Sequence, residues 1–473
     1  MTKQRTDFLG TEKLSTLMLK FSIPCILSLL VSSLYNLVDQ IFIGNSELST
    51  LGNAATGAAF PVFIIAQAFA WCSGDGCAAY LNICQGRKDD EAAKKSVGSG
   101  ISLTFLSGLL LMLLFYPFKR EFLILFGASE NSLAYAIEYL DIILAFLPIY
   151  MLTNMMHSVL RADGSQNWAM LSTVVGAILN IILDPIFIFG FHWGMAGAAW
   201  ATAIGQVISF AIAVFALLRA KSFRLTWKSL IPDFQAFKGA LLLGLSTFFI
   251  QLTIVIMAVL CNMMLAKYGA QSQFGADIPI AIISIQSKVF TIIINLVVGI
   301  VLGCQPIISY NMGAKKYDRV KALYRNILLC TIVIGVFATL LFEIAPRAVI
   351  GLFGEPTNIP NPEDYWLFGE RTFRIFMMFI SFTCIVKMSS IFFQAVGKPI
   401  ESLTGSIVRD LLCFTPLIVI LPTFMGIDGI LVASPIADGV ALLITIATTI
   451  PFFRFLRKKE EARKQKDTPS IPS

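Results

Sequence analysis

Charge is scarce in this chain. Of its 473 residues only 14% are Asp, Glu, Lys or Arg, whereas a water-soluble protein carries about a quarter. Apolar residues make up 56% and the mean hydropathy is +0.77, so a large part of the surface must face lipid. This excludes a nucleic-acid partner, a secreted disulfide scaffold and a disordered chain. Histidine is almost missing: His157 and His192 are the only two, too few for a His-rich metal centre. The nine cysteines form no C-x-x-C pair and lie in or beside apolar runs, which reads as buried small hydrophobes. Neither H-E-x-x-H nor G-x-G-D occurs. Cys72-Ser-Gly-Asp75 lacks the first glycine of the latter, and no Ser/His pair falls on plausibly facing helices. The chain therefore reads as a non-enzyme with no organic cofactor. Nor is there a cleavable signal: Thr2 to Thr16 is polar, and the first apolar run is too long for one.

What the chain has in abundance is long apolar runs. Six fall near 17–43, 53–83, 96–118, 132–158, 167–191 and 194–218. Six more fall near 239–266, 278–310, 323–345, 366–393, 401–424 and 427–455. Each is long enough to cross about 30 Å of hydrocarbon as a helix. The expected fold is an all-α integral membrane protein with twelve transmembrane helices. Basic residues orient it. With the N-terminus inside, 27 of the 36 Lys and Arg fall on cytoplasmic segments and six on the outer ends. Both termini are then cytoplasmic, in the cell membrane. The segment 219–238 mixes Phe223, Trp227, Leu230 and Phe234 with five basic residues and reads as an interfacial linker on the cytoplasmic leaflet.

The sequence also repeats itself. CQGRKDDEAAK (84–94) returns as NMGAKKYDRVK (311–321), offset 227, and Leu125-Phe126-Gly127 returns as Leu352-Phe353-Gly354 at the same offset. Arg161-Ala-Asp-Gly164 returns as Gln394-Ala-Val-Gly397, and Gly194-Met-Ala-Gly197 as Gly426-Ile-Asp-Gly429, offsets 233 and 232. A repeat of six helices keeps both copies in one orientation, related by a pseudo-two-fold axis along the membrane normal. The expected organisation is an N-lobe (1–218), the linker (219–238), a homologous C-lobe (239–455) and a charged cytoplasmic tail (456–473). Such a plan suits alternating access better than a static receptor or a channel.

With so little charge, the ionisable groups at membrane depth stand out. Asp39 lies on the first helix, one turn after Tyr35 and Asn36. Asn180 and Asp184 sit four apart on one face of the fifth, and Thr202 lies on the sixth. All are about one to two turns inside the outer ends, where two carboxylates, a carboxamide and a hydroxyl could hold a hard cation such as Na+. Pro185 frees the carbonyl of Ile181 next to them. In the second half, Lys288 and Asp410 could pair inside the lobe or face the cavity. Methionines in both halves, Met155 and Met257 among them, suit an adaptable substrate cavity, and Asp75 of the first half could widen it or face water near it. Shifted by 233, Glu138 and Asp141 land on Arg371 and Arg374, so these charges could meet as an outer gate.

Twelve helices in two copies, the acid on helix one, the Asn180/Asp184-Pro185 cluster, Thr202 and the QPIISYN stretch (305–311) resemble the multidrug and toxic compound extrusion (MATE) family. The resemblance spans nearly the whole chain, and looks closest to the bacterial branch with the DNA-damage-inducible and Staphylococcus-type efflux members. It implies a rocker-switch antiporter that exports cationic amphipathic drugs in exchange for Na+ or H+. Asp39, Asn180, Asp184 and Thr202 would then form the coupling-ion site, and Pro24 the point where helix one bends. Asp75, in Gly74-Asp75-Gly76, departs from the family's usual small apolar residues. The partners expected are small molecules and the bilayer, with the protein acting as a monomer. The alternative within the same superfamily is a lipid-linked saccharide flippase, which would need free cationic residues for a pyrophosphate.

Overall fold

A computed structural model of the chain describes residues 7–467 apart from 45, 47, 48, 88, 127, 129, 221, 222, 224, 276 and 354–361. The end of the tail (468–473), Lys221 and Arg224 of the linker, and Gly127 and Gly354 of the repeat lie outside the described residues. The described chain is helical throughout, with no strand. Six spanning helices come first: α1 (Leu14–Gly44), α2 (Ser49–Arg87), α3 (Asp90–Phe115), α4 (Glu130–Ala162), α5 (Gln166–Gly190) and α6 (Gly194–Leu218). After a short 3-10 turn (Trp227–Leu230) follow α7 (Phe234–Ala270), α8 (Asp277–Gly313) and α9 (Tyr317–Ile344). α10 is broken, running Pro362–Phe376 and Ile380–Ala395 with a 48° bend. Counting it as one span, α11 (Pro399–Met425) and α12 (Ile427–Asp467) complete the twelve. Continuous helix is what lipid demands, since every backbone N–H and C=O must find its partner within the segment.

The turns between spans repeat as the sequence does. Gly164 and Gly397 take φ of +79° and +82°, and Gly194 and Gly426 take +53° and +60°. These left-handed conformations need a residue without Cβ, so the same connection is built twice from the same residue. Gly197 and Gly429 recur likewise: a Cβ would lie 3.0 Å from Phe187 C in one and 2.5 Å from Leu421 C in the other.

By packing, the chain forms two compact units. The first holds Met1–Leu252, Leu302–Gly313 and Ala395–Pro399; the second holds Thr253–Val301, Ala314–Gln394 and Ile400–Ser473. The division runs through α7 and α8, not through the linker. In the first unit α2 packs on α4, α4 and α5 pack on α6, and α1 packs on α5. The first half of α7 joins this unit because glycines let it touch α2 backbone to backbone. A Cβ on Gly244 would lie 1.8 Å from Cys72 O, and one on Gly76 2.2 Å from Ala240 O. Likewise Gly303 of α8 sits where a Cβ would meet Ser22 Cα at 2.5 Å, and Asn311 Nδ2 donates to Leu9 O at 3.0 Å. Close small-residue crossings are how helices associate in lipid, where burial of apolar surface gives no drive. In the second unit α12 packs on α11 and α10, and its helix continues into the tail, where Lys321 of α9 bonds Glu460.

Candidate functional site

The first unit gathers four helices around one polar point. Asn180 and Asp184 project from α5, fully buried, with Asn180 Nδ2 3.4 Å from Asp184 Oδ1 and 3.3 Å from Thr202 Oγ1 of α6. From α1 the carboxyl group of Asp39 comes within hydrogen-bonding reach of that of Asp184. Three acceptors here are buried without any donor: Asp39 Oδ1, Asp184 Oδ2 and Asn180 Oδ1. Two ionised carboxylates in such a contact repel strongly in low dielectric, a repulsion that a shared proton or a bound cation would relieve. The oxygen-only donor set fits a hard ion. Among the described residues no three His, Cys, Asp or Glu cluster elsewhere or here, so the site offers at most two formal charges.

The surroundings are built to hold this point. Immediately after Asp184, Pro185 ends the α-helical part of α5 and Ile186–Gly190 continues as a π-helix, a distortion common where a helix serves a site. Tyr139 of α4 was not singled out in the sequence. It is buried, shares a hydrogen bond with Thr202 and lies beside Asp39, Asp184 and Tyr35. An aromatic residue in a long apolar run carries no signal of its own, so only the packing of α4 against α6 reveals it. Asn36, one turn before Asp39, points outward and bonds Ser32 O at 2.8 Å. Pro24 is buried inside the unbroken α1, its carbonyl accepting from Ser28 Oγ at 2.8 Å.

A single family model, MatE, matches the chain twice, over residues 24–186 and again over 246–420. The chain belongs to the MatE family. It is a membrane transporter, and the repeated match coincides with the repeat read from the sequence. The multidrug export protein MepA of Staphylococcus aureus is 25% identical over 431 residues, covering 90% of this chain and 91% of that one. The MepA of Staphylococcus haemolyticus is 24% identical, covering 91% and 92%. Among solved structures, a MOP superfamily transporter from Pyrococcus furiosus superposes with a TM-score of 0.87 at 24% identity, covering 96% of this chain and 99% of that chain. An outward-facing multidrug resistance MATE transporter superposes with 0.86 at 23% identity, with the same coverage. At that identity the likeness speaks for the fold alone.

Within this MatE chain several expected cavity and gate residues are placed otherwise. Asp75 does not face a cavity. It is buried, accepting from Ser158 Oγ at 2.7 Å, lying 3.7 Å from Arg161 Nη2 and hydrogen-bonding Thr247 of α7. A lone carboxylate in lipid needs such a counter-ion, and Arg161 supplies it. Met155 is also closed off, packed in a core cluster with Cys77 and Phe237. Of the two arrangements open for Lys288 and Asp410, the pair within the lobe is not formed. Asp410 is held by Arg409 Nη1 at 2.6 Å and Lys387 Nζ at 3.2 Å, while Arg409 Nε bonds Asp438 Oδ1 at 2.6 Å. Lys387 was not weighed from the sequence, and two residues so close on α10 and α11 left Lys288 of α8 with no acid among the described residues. Met257 of α7 is half-exposed. The gate charges have local partners: Asp141 pairs with Lys119, Arg371 with Asp428 at 2.8 Å and Arg374 with Glu370 at 3.7 Å, while Glu138 is exposed.

Proposed function

We propose that this MatE protein is a secondary antiporter that exports organic cations and drugs in exchange for Na+ or H+. Its coupling site is Asp39, Asn180, Asp184 and Thr202, with Tyr35 and Tyr139 as flanking groups. The observation that carries this reading is the approach of two carboxyl groups, each with one buried oxygen that has no donor. A site of that kind is stable only when loaded, by a proton or by a cation. Loading by the ion and loading by a cationic substrate then compete for the same pair of charges, and competition of this kind couples two gradients. The multidrug export named for the MepA relatives supports the substrate class. The protein works as a monomer in the cell membrane, with both termini cytoplasmic and its two sequence repeats forming the moving lobes.

The test is dye efflux from vesicles driven by a Na+ or a pH gradient, comparing wild type with Asp39→Asn and Asp184→Asn. Either variant keeps the shape of the side chain and removes one charge. Gradient-driven efflux should fall by about 100-fold, the scale of losing a coupling free energy of about 3 kcal/mol. Unchanged efflux in both would overturn the site, and a response to only one gradient would identify the ion.

A further inference from the structure

The linker between α6 and α7 is bolted in place, and what it holds outward has a definite chemistry. A Cβ on Gly98 of α3 would lie 2.0 Å from Ser229 O, so the linker backbone rests directly on that helix. Ser102 Oγ of α3 donates to Leu230 O, and the backbone N of Asp233 donates to Ser99 Oγ at 3.1 Å. Thr226 and Ser229 cap the 3-10 turn reciprocally, and Phe223 is buried in the core cluster beneath. With its inner side fixed in this way, the turn presents Trp227, 89% exposed, together with Ile231 and Phe234, also exposed. Exposed cations flank them along the chain. Arg219 at the end of α6 lies over the Phe215 ring at 4.1 Å, Lys228 adjoins Trp227, and Lys238 stands in the first turns of α7, all exposed. None of the three is ion-paired among the described residues. The whole segment 219–238 has five basic residues against one acid, Asp233.

We infer that residues 226–234 form a rigid plate that binds anionic phospholipid headgroups, with Trp227, Ile231 and Phe234 entering the leaflet and Arg219, Lys228 and Lys238 taking the phosphates. An aromatic and aliphatic wedge ringed by cations is the pattern that sits at a charged lipid interface. A neutral lipid would satisfy the wedge and leave the cations idle. The occupant is therefore a phospholipid with net negative charge, such as phosphatidylglycerol. The plate continues straight into the part of α7 that touches α2: a Cβ on Gly239 would meet the Tyr80 ring at 2.5 Å. Headgroups that hold the plate thus hold the first turns of α7 on the first unit, and lipid charge sets how readily that packing opens.

The test uses the full chain in vesicles of phosphatidylcholine alone or mixed with phosphatidylglycerol. Trp227 emission is isolated by subtracting the Trp227→Phe variant, with brominated lipid of either kind as quencher. Brominated phosphatidylglycerol should quench more strongly than brominated phosphatidylcholine at equal amount. The preference should drop about fivefold for each cation removed and vanish in Arg219→Gln/Lys228→Gln/Lys238→Gln. Thermal stability of wild type, and not of that triple variant, should rise with phosphatidylglycerol. Equal quenching by both lipids, or a preference that survives the triple change, overturns the proposal; no quenching by either overturns the wedge as well. These readouts need no transport, so they stand or fall apart from the antiport reading.

Discussion

Two groups of buried charge behave oppositely. Around Asp39 and Asp184 no basic side chain forms an ion pair among the described residues, and acceptors are left open. Around Asp410 and Asp438 there are two cations for two acids, and Thr383 Oγ1 adds a bond to Asp438 Oδ1 at 2.7 Å. The second group neutralises itself, so it has no need of an ion. Its role is to hold α10, α11 and α12 together. Arg409→Met should destabilise the protein by about 3–5 kcal/mol, because Asp438 loses the guanidinium that neutralises it in a low-dielectric interior. Thermal unfolding in detergent measures this, and Arg409→Met with Asp438→Asn should recover part of the loss. A single variant as stable as wild type would refute the assignment. Asp39 and Asp184 were readable from the sequence because charge is so rare there. The Lys387 partner of Asp410 was not, because spacing along one helix cannot relate side chains on α10 and α11.

Helices in this protein meet through glycine, and glycines differ in what they tolerate. At Gly244 a Cβ would collide with the α2 backbone at Cys72, whereas at Gly439 of α12 nothing lies within 4 Å. Gly244→Val should lower the unfolding temperature and transport together, with a stability cost of about 1–3 kcal/mol from overpacking. Gly439→Ala should be neutral or stabilise by up to about 1 kcal/mol through helix propensity. Matching thermal shifts for the two would show that the α2–α7 crossing is not close in the membrane. The apolar runs marked each span's place, with ends off by up to about six residues at α3 and α9 and more at the tail end of α12, because helices run on past the hydrocarbon into polar ends. They could not show the π-helical stretches at Ile186–Gly190, Thr372–Phe376 and Val408–Phe414, since a π turn shifts the hydrogen bonds without changing composition.

Orientation belongs to the whole molecule. If the basic excess marks the inside, Arg347→Cys should react with an impermeant maleimide in intact cells, and Lys13→Cys only after permeabilisation. The reverse pattern would invert the direction of transport. Repetition is also a whole-chain property. Gly164 with Gly397 and Gly194 with Gly426 show that it reaches down to individual backbone angles. Yet packing does not divide where the sequence repeat does, since the first half of α7 and the end of α8 join the first unit.

The sequence by itself determined the number of spans, the doubled plan, the distribution of basic residues and the short list of intramembrane acids. All of these follow from composition along one line of chain, because lipid penalises charge and exposed backbone wherever they occur. Tertiary structure alone decided which acids meet. It set Asp39 against Asp184 with Tyr139 behind Thr202, gave Asp75 to Arg161 and Asp410 to Lys387 and Arg409, and seated the linker on Gly98. Those pairings depend on helix rotation and crossing distance, which close small-residue contacts set and which no residue spacing within a single helix encodes.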